Sequence, residues 1–105
     1  MKFEFNNCVA LQTNNPEQAQ KFYEDIMGMN FDMEEDGSKY TKNGELLFFI
    51  DKESQIKGPV LDIFTEDIEK SKEHLINNGC KVLKWDDTGK YMIDPFGMCF
   101  NLSKK

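Results

Sequence analysis

A five-residue phrase occurs twice in this chain, nearly but not wholly unchanged. Asp36-Gly-Ser-Lys39-Tyr40 returns as Asp87-Thr-Gly-Lys90-Tyr91, 51 positions further on, and Gly28 and Gly79 keep the same spacing. A chain of 105 residues is one domain's worth of sequence. One repetition at its midpoint therefore makes it two copies of one supersecondary unit. Solenoids need three or more repeats to bury their faces, so two copies must cover each other. Each copy's helix covers one face of its sheet, which leaves the opposite, concave face to side chains or to a ligand.

The first copy opens with alternation inside residues 3–13. Val9, Leu11 and Thr13 share one face, and Cys8, Ala10 and Gln12 the other, as in a strand. Asn15-Pro16-Glu17-Gln18 supplies an Asn N-cap, Pro at the first helical position and Gln placed to close a capping box. Ala19, Phe22, Tyr23, Ile26 and Met27 then form an apolar helical stripe that Gly28 ends. Strands are expected over 29–34, 38–42 and 45–51, joined by turns at Asp36-Gly37 and Asn43-Gly44. The second copy repeats this order. It reads as a strand over 59–65, an N-cap at Asp67, a helix over 68–78 ended by Gly79, and strands over 80–85, 90–94 and 98–102. Asp94-Pro95-Phe96-Gly97 has the residue order of a type I turn. The chain is thus a single α+β domain, residues 1–105, of two βαβββ modules, 1–51 and 59–105, with polar residues 52–58 as a linker.

A net charge of −6 argues against nucleic acid and anionic membranes as partners, and favours a cationic or neutral ligand. Cys8, Cys80 and Cys99 are odd in number and lack a C-x-x-C spacing, so they read as reduced thiols rather than a disulfide framework or a zinc site. The N-terminal residues carry no apolar signal region and no stretch nears 18 apolar residues, which points to the cytoplasm.

Three segments resemble the vicinal oxygen chelate superfamily of glyoxalases, bleomycin-resistance proteins and extradiol dioxygenases. They are Val9-Ala10-Leu11 running into Asn15-Pro16-Glu17, Phe22-Tyr23 through Met27-Gly28, and Asp94-Pro95-Phe96-Gly97 through Asn101-Leu102. The resemblance spans essentially the whole chain. It implies a curved mixed sheet around a concave cleft, and a homodimer. It also implies four metal-ligand positions, which fall on Cys8, Phe48 (or Phe49 if the register slips by one), Val60 and Asn101. A Zn, Ni or Fe ion needs imidazole, carboxylate or thiolate donors at about 2.0–2.3 Å. A thiol, a Phe, a Val and an amide do not provide that set, so no metal or other cofactor is expected.

Ten residues are candidates for a ligand-lined cleft: Cys8, Ala10, Gln12, Phe48, Phe49, Val60, Asp62, Phe64, Trp85 and Asn101. Cys8 lacks a placed base to activate its thiol and reads as a lining residue. Adjacent Phe48 and Phe49 must send one ring to each side of their strand. Val60, Asp62 and Phe64 share a face, and a carboxylate there is costly unless paired or functional. Asp62 is therefore either an anchor for a cationic or hydrogen-bonding ligand, a base, or a carboxylate bonded to a neighbour or water. Trp85 reads equally as pocket rim or core. Tyr40 and Tyr91 occupy equivalent places in the copies, and His74 lies on a charged helix pointing to solvent or the helix margin.

The leading expectation is a metal-independent binder of a small molecule, cationic or aromatic, similar to the bleomycin-resistance branch. A glyoxalase-type lyase, isomerase or dioxygenase is the alternative, either metal-dependent or using Asp62 as acid or base. A sensing or interaction module without turnover is the third.

Overall fold

The computed structural model describes residues 2–53 and 55–105; Met1, in the predicted first module, and Ser54, in the predicted linker, lie outside the described residues. The order is β1 (Glu4–Thr13), α1 (Pro16–Asp25), β2 (Asp32–Met33), β3 (Lys39–Asn43), β4 (Leu46–Lys52), β5 (Gly58–Thr65), α2 (Ile68–Asn77), β6 (Lys81–Asp86), β7 (Gly89–Ile93) and β8 (Cys99–Lys104). This is an α+β chain in which βαβββ occurs twice. The described residues form two compact units, Asn7–Pro59 on one hand and Val60–Lys105 with residues up to Asn6 on the other. The start of β1 thus belongs with the second half of the chain.

Strand order is β2-β3-β4-β1 in the first of these units and β5-β8-β7-β6 in the other. In each, the strand that precedes the helix pairs parallel with the last strand, β1 with β4 and β5 with β8, and the remaining pairs are antiparallel. Both units finish alike. Glu53 N–H donates to Thr13 O and Lys105 N–H to Thr65 O, each at 3.0 Å, so the equivalent strand ends lie 52 positions apart.

Local chemistry sets the helix ends. Asn15 Oδ1 accepts from Gln18 N–H and Asp67 Oδ1 from Lys70 N–H, as N-caps do. The expected capping box is replaced, because Asn15 N–H donates to Thr13 Oγ1 at 3.2 Å. At the end of α2, Cys80 N–H bonds Leu75 O and Gly79 N–H bonds Ile76 O, with Gly79 at φ 100°. That Schellman arrangement needs a left-handed residue, which glycine supplies.

Apolar burial differs between the units. Ile63, Cys80, Met92, Phe100 and Leu102 form one core, with Leu75 of α2 packed against it. By contrast α1 has no buried residue, and Phe22, Ile26 and Met27 of the predicted stripe are exposed. His74 stacks on Phe3 with ring centroids 6.4 Å apart. Among the described residues no helix is long and apolar enough to cross a membrane.

Candidate ligand-binding site

The parallel pair β5/β8 sets Leu61 opposite Phe100, Asp62 opposite Asn101 and Ile63 opposite Leu102. Thr65 at the strand's end shares a buried hydroxyl–hydroxyl bond with Ser71 of α2. Together with the core residues Ile63, Phe100 and Leu102, this bond marks the α2 face. Alternation then turns Val60, Asp62 and Phe64 to the other face, in company with Asn101, Ser103 and Tyr91.

On that face Asp62 is the centre of a polar network. Its Oδ1 accepts from Asn101 Nδ2 at 3.0 Å and from Ser103 Oγ at 2.7 Å, and its Oδ2 accepts from Asn6 Nδ2 at 3.0 Å. Asn101 is itself pinned, since its Oδ1 accepts from Lys90 N–H at 2.9 Å and its Nδ2 also reaches Ser103 Oγ at 3.2 Å. All three donors to Asp62 are neutral. A carboxylate offers about four acceptor positions; donors among the described residues fill three, and the second position on Oδ2 takes none of them. The charge is solvated by these bonds without being cancelled.

Trp85 stands elsewhere. Strand alternation alone would set it on the same face as Lys81, which pairs with Ile93. The register shifts between Val82 and Lys84, so Lys84 pairs with Tyr91 and Trp85 with Lys90. Leu83 is the extra residue of a bulge, and a bulge re-aims everything after it. Trp85 consequently packs against the core on the α2 side, with Lys72 Nζ 4.5 Å from its ring centroid. It lies on the side of β6 away from Asp62.

In the Asn7–Pro59 unit, Val9 lies opposite Phe48 and Ala10 opposite Phe49. The Phe48 ring meets Tyr23 of α1 at 4.9 Å and Phe31 at 6.0 Å, and so belongs to the helix side. Phe49 takes the other face with Ala10, Cys8 and Gln12, and lies 5.6 Å from the Tyr40 ring. The slipped register is the one observed: the open-face ring is Phe49, because Phe48 is committed to packing under α1.

Gln12 is 2% exposed, and its Nε2 donates to Asp51 Oδ2 at 3.1 Å. Burial pushes the Asp51 carboxyl above its ordinary range; the Gln12 bond opposes this, while Asp36 and Glu53 reinforce it. Sequence reasoning passed over Asp51, Ser103 and Asn6 as site residues. Period two from Phe49 and from Asn101 would have found the first two. Asn6 carries no such signal, because its partner lies 56 residues away.

A family model described as a glyoxalase-like domain matches residues 8–103. The chain belongs to that family. Glyoxalase-like domains are members of the vicinal oxygen chelate superfamily. A glyoxalase/bleomycin resistance protein/dioxygenase superfamily member from Vibrio splendidus 12B01 has 12% identity, covers 97% of this chain and 100% of its own, and has a TM-score of 0.61. A hypothetical protein from Bacillus halodurans C-125 has 12% identity, covers 100% and 96%, and has a TM-score of 0.57. A structure described as an NAD-dependent benzaldehyde dehydrogenase from Legionella pneumophila has 13% identity, covers 94% and 98%, and has a TM-score of 0.63. At these identities the likeness is one of fold. No curated protein matches the chain.

The four metal positions of the superfamily can be tested on this glyoxalase-like domain by donor chemistry. Val60 is aliphatic and 3% exposed, and in the observed register the β4 position is Phe49, a phenyl ring beside Tyr40. The Asn101 amide is spent on Asp62, Ser103 and Lys90 N–H. Only the Cys8 thiol is a donor that Zn, Ni or Fe favours, and one such donor does not hold the ion. These residues do not fit the superfamily's metal centre.

Proposed function

We propose that this glyoxalase-like domain is a metal-independent small-molecule binding protein, akin to the bleomycin-resistance branch, whose ligand is anchored at Asp62. The observation that carries the reading is the carboxylate itself. Asn6, Asn101 and Ser103 hold it in place through neutral donors, and an acceptor position on Oδ2 is left without a donor among the described residues. Fixed carboxylates recognise ammonium, amidinium or hydroxyl groups, which supply the missing donor and, for the first two, the counter-charge. The net charge of −6 favours accumulation of a cationic guest around the protein. Tyr91 stands beside Asn101 on the neighbouring strand, with Lys84 Nζ 5.9 Å from its ring centroid, so a cation already sits over an aromatic ring near the anchor.

Thermal-shift screening of organic amines, amidines and aromatic cations tests the reading, since a ligand raises stability as RT ln(1 + [L]/Kd). Hits are expected, and Asp62→Asn is expected to weaken each by tenfold or more while leaving the fold intact. Hits that bind Asp62→Asn as well as the parent chain would refute the anchor. A stoichiometric, tightly held divalent metal in the purified protein would refute metal independence.

A further inference from the structure

The strand expected over 29–34 pairs along only two residues, and its departure opens a cleft. β2 matches Asp32 with Tyr40 and Met33 with Lys39, and Glu34 N–H adds a bond to Ser38 O at 2.9 Å. Extended upstream, that register would set Asn30 opposite Lys42, but the pairing stops short of it. Met29 N–H turns back to Tyr23 O, and residues 28–31 leave the β3 edge. A cavity of about 780 Å³ lies between them, lined by Met29, Asn30, Asp32, Glu34, Tyr40 and Lys42 among others.

The hydrogen-bond phase of β3 decides what faces this cavity. Along an antiparallel strand, successive residues bond alternately to one neighbour and the other. The two-residue turn Gly44-Glu45 closes on Asn43 and Leu46, so Asn43, Thr41 and Lys39 bond toward β4. Tyr40 and Lys42 therefore point their N–H and C=O outward. The Glu34–Ser38 bond on the other side gives the same phase. Tyr40 is met by β2; the Lys42 N–H and C=O face the cavity with no strand partner among the described residues.

An unpaired N–H/C=O pair on a strand edge is a template for another extended chain. The cavity has the size of a small-ligand site. Its walls carry the carboxylates of Asp32 and Glu34 against the single ammonium of Lys42, so a basic guest is complementary. We propose that this cleft binds a short extended peptide segment bearing a lysine or arginine, whose backbone adds to β3 at Lys42. The site shares no residue with the Asp62 network, and its fate is independent of that of the binding reading above.

The test is an amide-resolved NMR titration of the full chain with an N-acetylated, C-amidated Lys-Val-Lys tripeptide. Saturable shifts are expected at the Lys42 and Asn30 amides, weakening as salt is raised. Replacing the tripeptide's Lys–Val amide by an ester removes the valine N–H donor and should weaken binding about fivefold to tenfold. A Glu-Val-Glu analogue should leave the spectrum unchanged. Lys42→Pro deletes the outward N–H at an edge position where proline is tolerated, and should cut affinity about tenfold with the melting temperature held. If that variant misfolds, the amide-against-ester comparison on the unmodified chain decides. An ester that binds as tightly as the amide, shifts confined to Asp62 and Asn101, or the absence of saturable shifts would each overturn the proposal.

Discussion

Asp62 and Asp51 are both strand carboxylates turned away from the helix of their own unit, and their surroundings are opposite. Asp62 has three neutral donors on it. Asp51 has one, Gln12, and is pushed toward its protonated form by burial and by the like charges of Asp36 and Glu53. The shared strand-end bonds make Ala10 the counterpart of Asp62, Phe49 of Asn101, and Asp51 of Ser103. One scaffold position thus holds an aliphatic–aromatic pair in one unit and a carboxylate–amide pair in the other. The duplicated backbone dictates where side chains point, while each copy's own sequence decides whether that place is apolar or an anchored charge.

Four variants break or sharpen this contrast. Met92→Ala removes a fully buried side chain from the core under α2 and should cost about 3 kcal/mol in urea unfolding. Asn101→Asp sets a second carboxylate within hydrogen-bond distance of Asp62. It should cost about 2 kcal/mol at pH 7, most of it recovered in acid as the pair takes up a shared proton. A pH-independent loss would show that the amide's packing matters more than its charge.

Asp51→Asn should act in the opposite direction. Because the folded protein holds the Asp51 proton more tightly than the unfolded chain does, this group's contribution to stability is present below the ordinary carboxylate range. It is lost as pH rises through the raised value. The variant should therefore gain about half a kcal/mol at pH 7, after screening by water, and nothing at pH 3. Asp36 and Asp86 are held low by bonds from Ser38 and Thr88. Their stabilisation is present above the usual range and fades as pH falls, so an acid titration separates the two kinds of carboxylate. Phe22→Ala on α1, half exposed, should change stability by no more than about 0.5 kcal/mol; a core-sized loss would mean that α1 is seated as firmly as α2.

Much of the fold was legible because it is locally encoded. Asn15 and Asp67 cap helices with their own side chains, Gly79 takes the left-handed turn, and Asp94 Oδ1 gathers the Phe96 and Met98 N–H groups at the β7–β8 turn. The Asp62–Asn101 pairing could be reached by alternation together with the repeat. Three features resisted. The bulge at Leu83 has no glycine or proline to announce it and reverses the side on which Trp85 sits. The break in pairing upstream of Asp32 depends on where residues 28–31 go, which periodicity does not specify. Asn6 reaches Asp62 because the beginning of β1 clusters with the far half of the chain, a long-range fact without a local signature.

Trp85 is the single tryptophan, held beneath Lys72 and near Lys90 on the α2 side. Its fluorescence is therefore a built-in reporter on the seating of α2 against its sheet. A guest that docks at Asp62 occupies the opposite side of that sheet and leaves the emission to change only through the fold. Intrinsic quenching will accordingly undercount ligands for this protein, and a guest followed by its own absorbance or resonance will give the truer isotherm.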